Sequence, residues 1–171
     1  DPNLAEAYAS RGLALHQAGR DEEAAASFHH PLAVDQGLHE ANFHYARFHY
    51  MRGNFEAAVQ FFKRAAELKP DDYLSPVHLM SAYASLGNST EIESWARVGL
   101  WRAEQALKQN PENSGPAHRG ALAWAHLGDD QRAREWADRA LAIDPDDVVA
   151  QYNVACVYSL IGDAEQAIQL L

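Results

Sequence analysis

Small and apolar residues recur at intervals of three and four along most of the chain, which is the spacing of one face of an α-helix. No segment alternates between apolar and polar residues with a period of two over a useful length, so we expect no β-strands. A long run of the helical spacing lies between Gly87 and Pro111. It consists of Ile92, Ala96, Gly99, Ala103 and Ala106. The pattern predicts an all-α protein.

Two kinds of turn residue interrupt this helical pattern with a common period. Glycines recur at intervals of 34, 34, 41 and 34 residues, at Gly19, Gly53, Gly87, Gly128 and Gly162. Proline-type turns keep the same intervals, at Pro2, Gln36, Pro70, Pro111 and Pro145. Each period therefore predicts a helix, a tight glycine turn, a second helix and a Pro/Asp turn. The longer interval has seven additional residues. Seven residues are about two helical turns, so we expect them to lengthen one helix rather than to form a loop.

Residues at fixed positions around these turns favour closely packed helix hairpins. Residues that cap helix N-termini follow the proline-type turns, namely Asp71 and Asp72, Asn113 and Ser114, and Asp146 and Asp147. Alanine stands five residues after the turn glycine in four of the five periods, at Ala24, Ala58, Ala133 and Ala167. Small side chains there let two antiparallel helices approach closely.

Pro31 departs from this pattern, because it stands inside the second predicted helix. A proline within a helix removes one hydrogen bond and costs about 3 kcal/mol unless the helix bends or ends there. The sequence therefore predicts a kink or a stop near His29 and His30.

Composition and charge narrow the class of protein. The chain has 171 residues, 47% of them hydrophobic, with 14 Lys and Arg against 24 Asp and Glu and a formal net charge of -10. This composition is that of a globular protein, and the acidic balance without a basic run argues against a nucleic-acid partner. The single cysteine, Cys156, cannot form an internal disulfide, and no apolar run is long enough to cross a membrane. We expect a cytoplasmic protein with no membrane partner.

The side chains that carry enzyme chemistry do not form a recognisable site. His39, His44 and His49 recur every five residues, so neighbouring members point about 140° apart on a helix and cannot share one metal ion. The nine histidines are therefore interpreted as scattered surface or interhelix residues. Cys156 lies among apolar residues and is expected to be a half-buried packing residue rather than a nucleophile. No phosphate-binding glycine motif is present. We predict no catalytic residue, no cofactor and no metal, and hence not an enzyme.

Four tryptophans contribute a large apolar surface. Trp124 is expected in the core. Trp95 and Trp136 stand at equivalent positions in their helices and are expected to pack between repeat units. For Trp101, in the lengthened helix, core or interhelix packing is favoured, and an exposed docking residue is the alternative.

The repeated residues resemble the tetratricopeptide repeat, whose signature places Leu-Gly and then Tyr in a first helix, followed by Ala, Phe and Ala in a second helix and a closing Pro. The second unit carries Asn42, Tyr45, Ala46, His49, Ala58, Phe62, Ala65 and Pro70. The fourth unit carries Gly120, Ala121, Trp124, Ala133, Ala137, Ala140 and Pro145. The first unit matches at Tyr8, Gly12, Leu15, Ala24 and Phe28.

This resemblance implies one domain over residues 1–171, a right-handed superhelix of antiparallel helix hairpins, which is an α-solenoid. Its units are about 4–37, 38–72, 73–113 with the seven-residue extension, 114–147, and an incomplete 148–171. A weaker resemblance, over Ala140 to Gly162, is to the repeat regions attached to bacterial class III adenylate and guanylate cyclases. It implies a bacterial signalling context.

In the resembled family the first helices line a concave groove that binds peptides. The corresponding residues here include Leu13, His16, Phe43, Arg47, Tyr50, Met51, Val77, His118, Leu122, His126 and Tyr152. In the fifth unit the groove positions are Val149, Tyr152, Cys156, Ser159 and Leu160. The family's cationic clamp for an acidic carboxyl terminus is not expected, because its places hold Ala9, Leu13 and His44.

The groove composition indicates a non-enzymatic protein-interaction module that binds a peptide or an amphipathic helix through apolar and aromatic contacts. Three other readings stay open. The groove could be filled by another helix of the same protein. The chain could be a self-associating, homo-oligomeric regulatory segment of a larger bacterial signalling protein such as an adenylate cyclase, or it could be a metal-dependent or hydrolytic enzyme.

Overall fold

The computed structural model describes the chain from Pro2 to Leu171, with the side chains from Leu4 onward. Ten α-helices follow one another, and no β-strand occurs in this part of the chain. They are α1 (Pro2–Gln17), α2 (Asp21–Val34), α3 (His39–Met51), α4 (Phe55–Leu68), α5 (Leu74–Ser85), α6 (Ser89–Gln109), α7 (Ser114–His126), α8 (Asp130–Ile143), α9 (Val148–Leu160) and α10 (Ala164–Gln169). The predicted all-α fold class is confirmed.

A glycine with positive φ stands in the turn within each successive helix pair. The φ angles of Gly19, Gly53, Gly87, Gly128 and Gly162 lie between 69° and 79°. An L-residue with a side chain adopts this left-handed conformation only with strain, which is why glycine ends the first helix of each pair. The predicted glycine turns are confirmed.

The seven additional residues of the third period lie within α6. This helix has 21 residues, whereas α2, α4 and α8 have 14 each, a difference of seven. Ala96, Gly99 and Ala103 are all buried along α6, so the lengthened helix keeps one continuous buried stripe. The prediction that the insertion extends a helix is confirmed.

The predicted N-cap residues hold the first turns of three first helices. Asp72 accepts a hydrogen bond from the Leu74 amide at 2.9 Å. Asn113 accepts one from the Gly115 amide at 2.9 Å, and Asp147 caps α9 in the same way. These caps satisfy amide groups that have no partner inside the helix.

The chain forms two compact units. One comprises the chain up to Pro70 together with Ala82–Gly87, and the other comprises Asp71–Ser81 together with Asn88–Leu171. The single-domain assignment and the repeat boundaries stay predictions.

The core of the first unit is built from α1 to α4. One cluster holds Ala9, Leu15, Ala24, Phe28 and Phe48. Phe28 and Phe48 stack with their ring centroids 4.9 Å apart. The predicted contact alanine Ala24 is fully buried here, so the two helices of this hairpin pack closely.

The core of the second unit has two clusters. Val77 and Met80 of α5 pack with Leu100 of α6 and Ala123 of α7. The other cluster joins α6 to α10 through Leu107, Ala117, Ala121, Ala133, Ala137, Ala140, Val154, Val157, Tyr158 and Ala167. Six of these ten residues are alanines.

The alternative that α2 stops near His29–His30 is wrong. The helix continues through Pro31 to Val34, and the Pro31 carbonyl accepts a hydrogen bond from the Asp35 amide at 2.8 Å. Pro31 and the neighbouring Leu32 are both buried. Their apolar contacts offset the hydrogen bond that the proline ring removes.

The tryptophans divide between core and surface. Trp95 and Trp136 pack against the cluster formed by α5, α6 and α7. That they pack between repeat units stays a prediction, since Trp95 lies on α6 itself and Trp136 contacts Gly120 of its own hairpin. Trp124 is half-buried and packs against both clusters of the second unit. The favoured packing interpretation of Trp101 is wrong, because its side chain is 59% exposed. This position of α6 lies outside the buried stripe.

Candidate peptide-binding surfaces

Two predicted groove residues of α1 contact the core of the first unit. Leu13 packs against the cluster that contains Phe48. His16 meets the Phe48 ring edge to face, with centroids 5.7 Å apart, and its Nδ1 lies 2.6 Å from a carboxylate oxygen of Asp21. Both residues are half-buried, so only part of each side chain is accessible to a partner.

In α3, one predicted groove residue is core and another covers it. Phe43 is only 8% exposed and packs edge to face on Phe62 with centroids 5.8 Å apart. The Arg47 guanidinium lies 6.0 Å from the centre of the Phe43 ring. A cation at this distance is attracted by the face of an aromatic ring.

The end of α3 supplies the accessible part of this surface. Tyr50 is half-buried against Phe55, with ring centroids 5.4 Å apart. Met51 is 45% exposed. In the first unit, these two side chains are the predicted residues most suited to contact a partner.

On α5 and α7 of the second unit, two predicted residues are buried and two are half-buried. Val77 and His118 are 1% and 3% exposed. Leu122 packs against both core clusters, and His126 is half-buried. These side chains form the floor of the predicted surface.

Burial also determines the charge of this floor. Desolvation lowers the pKa of His118 from 6.5 to about 4, and burial lowers the pKa of His126 as well. The Nδ1 atom of His118 is buried without a hydrogen-bond partner among the described residues. Both rings are therefore neutral at pH 7, and the floor has no histidine charge.

The first helix of the fifth repeat, α9, presents an open apolar face. Tyr152 is 60% exposed, and Val149 and Leu160 stand beside it with 52% and 53% exposure. Cys156, between them, is half-buried, as predicted. Tyr152 is thus the most accessible of the large hydrophobic residues at the predicted groove positions.

One concave feature lies outside the predicted surface. A cavity of about 440 Å³ opens between α2 and α4 of the first unit. His29, Leu32, Gln60, Phe61 and Arg64 are among its lining residues. Sequence analysis missed it, because the resemblance directs attention to first helices and these residues lie on second helices.

The two units differ in charge. The second unit contains 15 Asp and Glu against seven Lys and Arg, a net of -8, whereas the first contains nine against seven, a net of -2. Three arginines of the second unit are already in ion pairs, Arg97 with Glu93, Arg132 with Asp129 and Arg134 with Asp163. Most of the negative charge of the chain therefore lies in the second unit.

Neither a metal-binding cluster nor a helix able to cross a membrane is found among the described residues. Between Pro2 and Leu171, no three His, Cys, Asp or Glu side chains lie together as a metal site would require. None of the helices α1 to α10 combines the length and the apolar character needed to cross a membrane.

Solved structures share this fold. A thermophilic TPR protein of Thermus thermophilus is 21% identical, with a TM-score of 0.70 over 97% of this chain and 87% of its own. MamA of Desulfovibrio magneticus is 15% identical, with a TM-score of 0.59 over 98% of this chain and 90% of its own. YrrB, a TPR protein with an unusual peptide-binding site, is 16% identical, with a TM-score of 0.56 over 95% of this chain and 80% of its own. At these identities the likeness shows the fold alone, an α-solenoid.

Sequence comparison gives the family directly. No curated protein matches the chain. The weaker resemblance of residues 140–162 to the repeat regions attached to adenylate cyclases is not supported by the matching families and structures. Tetratricopeptide-repeat profiles match residues 33–73, 100–148 and 136–169, which together cover more than half of the chain. Proteins with this repeat are generally non-enzymatic scaffolds that bind protein or peptide partners. The chain belongs to the tetratricopeptide-repeat family.

Proposed function

We propose that the protein is a non-enzymatic interaction module that binds a peptide or helix of another protein along its first helices. The observation that carries the proposal is the exposed apolar face of α9. There Val149, Tyr152 and Leu160 are each more than half exposed, although they are large hydrophobic residues. Aromatic and aliphatic side chains that are open in the free protein and become buried on binding supply most of the energy of such interfaces.

The first unit offers a second, smaller contact surface at the end of α3. Met51 is exposed and Tyr50 is half-buried beside it. Leu13, His16 and Arg47 are further predicted groove residues of this unit and are half-buried. Their contacts to the core hold the surface in shape, and a rigid surface loses less conformational entropy on binding.

The electrostatics favour apolar recognition over capture of a carboxylate. The Arg47 guanidinium lies over the ring of Phe43. His118 and His126 both have lowered pKa values, so neither adds a positive charge at pH 7. A cationic clamp of the kind that grips an acidic carboxyl terminus is therefore not part of the proposal.

The proposal is tested by selecting binding peptides from a random display library with the whole protein and measuring their affinity for variants. Tyr152→Ser and Met51→Ser change exposed side chains, so they leave the fold intact and separate binding from stability. Trp101→Ser is the matched control, because Trp101 is equally exposed but lies on a second helix. We expect about a tenfold or greater loss for a first-helix variant and none for the control. Unchanged affinity in both first-helix variants would place the site elsewhere.

Self-association is a second candidate function, and the exposure of Trp101 favours it. This residue lies on the lengthened helix α6 and is 59% exposed. A self-associating scaffold segment of a larger bacterial signalling protein would use such a patch. Light scattering over a range of concentrations tests this alternative: a dimer that Trp101→Ser dissociates would support it, and a strict monomer would exclude it.

A further inference from the structure

We infer that the partner of the α9 face is a cationic amphipathic helix, with apolar residues along one side and Lys or Arg flanking them. The inference rests on the proposed function, because it names the chemistry of the segment that the face binds. Three features of the second unit lead to it: the geometry of the face, the distribution of charge around it, and the neutral histidines of the neighbouring helix α7, which packs against α9.

The geometry of the face fits a helix. Val149, Tyr152, Cys156 and Leu160 are separated by three, four and four residues. At 100° per residue they lie within an arc of about 80° on α9. Eleven residues of helix separate the first from the last, a length of about 16 Å, or three turns. A helix laid along α9 with apolar residues at the same spacing covers this face from end to end.

The opposite side of α9 is fully engaged. Val154 and Val157 have no exposed surface, and Tyr158 is 6% exposed. Tyr158 also donates a hydrogen bond to Asp138 of α8 at 3.0 Å. The helix is therefore fixed by its buried side, and its open side does not need to rearrange to receive a partner.

The charges that flank the face along the chain are all negative. No residue from 148 to 162 is charged, so α9 itself presents a purely uncharged surface. The turn before α9 carries Asp144, Asp146 and Asp147, and the segment after it carries Asp163 and Glu165.

Some of these carboxylates already have partners and some are open. Asp147 caps α9 and accepts a hydrogen bond from the Ser114 hydroxyl, and Asp163 pairs with Arg134. Asp146, which precedes α9 in the chain, and Glu165, which follows it on α10, are exposed. A partner with Lys or Arg at both ends of its apolar side complements this arrangement, and an acidic partner is repelled by it.

The neutral histidines of α7 add no opposing charge. His118 and His126 are unprotonated at pH 7 because burial lowers both of their pKa values. Cationic groups of a partner therefore meet the net negative charge of the second unit without a competing cation from these two rings.

The test uses three synthetic peptides of about 15 residues, long enough to form a helix on binding. The first contains leucine and lysine with leucine at helical spacing. The second replaces each lysine by glutamate, and the third has the composition of the first in an order that gives no apolar face. Fluorescence anisotropy measures their binding to the whole protein at about 50 and 300 mM salt.

We expect the lysine amphipathic peptide to bind about tenfold more tightly than the glutamate and scrambled peptides, and to weaken as salt is raised. Tyr152→Ser and Leu160→Ser should each reduce its affinity about tenfold, and Trp101→Ser should leave it unchanged. The pair Asp146→Asn and Glu165→Gln should reduce its affinity and its salt dependence while retaining the apolar contacts.

Each contrary result has a distinct meaning. Equal or tighter binding of the glutamate peptide, still lost in Tyr152→Ser, would overturn the cationic partner and leave the proposed function standing. Equal binding of the scrambled peptide, unaffected by Tyr152→Ser, would overturn both. A dimer that Tyr152→Ser dissociates would assign the face to a second copy of the chain and overturn the inference.

Discussion

The indole ring of Trp136 lies against Gly120, in the space where the Cβ of any other residue would project. Trp136 belongs to α8 and Gly120 to α7, so this contact sets the close approach of the two helices of one hairpin. We predict that Gly120→Ala destabilises the protein by about 1 to 3 kcal/mol, because the added methyl group forces the indole out of its position. Urea unfolding at pH 7 measures the change.

A double-mutant cycle separates this steric effect from other causes. Trp136→Leu shortens the side chain that opposes Gly120. In the Trp136→Leu variant, Gly120→Ala should lower the free energy of unfolding much less, since the clash with the indole ring is removed. Additive effects of the two substitutions would show that the Gly120 contact is not the origin of the loss.

Gly87 tests the role of the turn glycines without any steric contact. Its φ angle is 69°, and no atom lies within 4 Å of the position that a Cβ would take. We predict that Gly87→Ala destabilises by about 1 kcal/mol through backbone strain alone, and that Gly87→Asn costs less because asparagine tolerates this conformation better. Thermal unfolding measures which of the two variants loses more stability. A purely steric cost would make Gly87→Asn the less stable variant, because asparagine has the larger side chain.

We predict that the protein loses stability on mild acidification because His118 is buried in its neutral form. Burial lowers its pKa from 6.5 to about 4, so the unfolded chain takes up a proton at a higher pH than the folded one. The stability that the neutral His118 ring contributes is fully present above 6.5, its pKa in the unfolded chain. This stability is lost as the pH falls from 6.5 towards 4. At a pH of about 5 the loss amounts to about 2 kcal/mol.

The measurement compares unfolding free energies at neutral and mildly acidic pH in the protein and in His118→Leu. The difference between the two pH values should shrink by about 2 kcal/mol in the variant. The control is His30→Gln, which changes an exposed histidine. An undiminished pH dependence in His118→Leu would show that other groups carry it.

The helical organisation of the chain follows from short-range rules and could be predicted. The apolar spacing identified the helices, and the phase of Gly19 to Gly162 located the turns, because only glycine adopts the left-handed φ without strain. The extension of α6 was predictable for a similar reason, since seven residues add two turns without rotating the buried face of the helix.

The surfaces could be predicted less well, because exposure depends on how neighbouring helices pack. Tryptophan is a residue type that usually packs in a core, but Trp101 lies outside the buried stripe of α6 and is exposed. Phe43 and Val77 occupy groove positions by family register, yet their side chains are buried. Pro31 stays within α2 because it is buried in the fold. This burial is a tertiary effect, which rules of local helix propensity do not include.

Binding along the first helices is measured by hydrogen–deuterium exchange of the whole protein, with and without a peptide selected from the random library. It locates the bound segment without any substitution. We expect slower exchange in α9, or in α3 of the first unit, with the exchange of the second helices little changed. Protection confined to α2, α4, α6 or α8, in particular around Trp101, would contradict binding along the first helices.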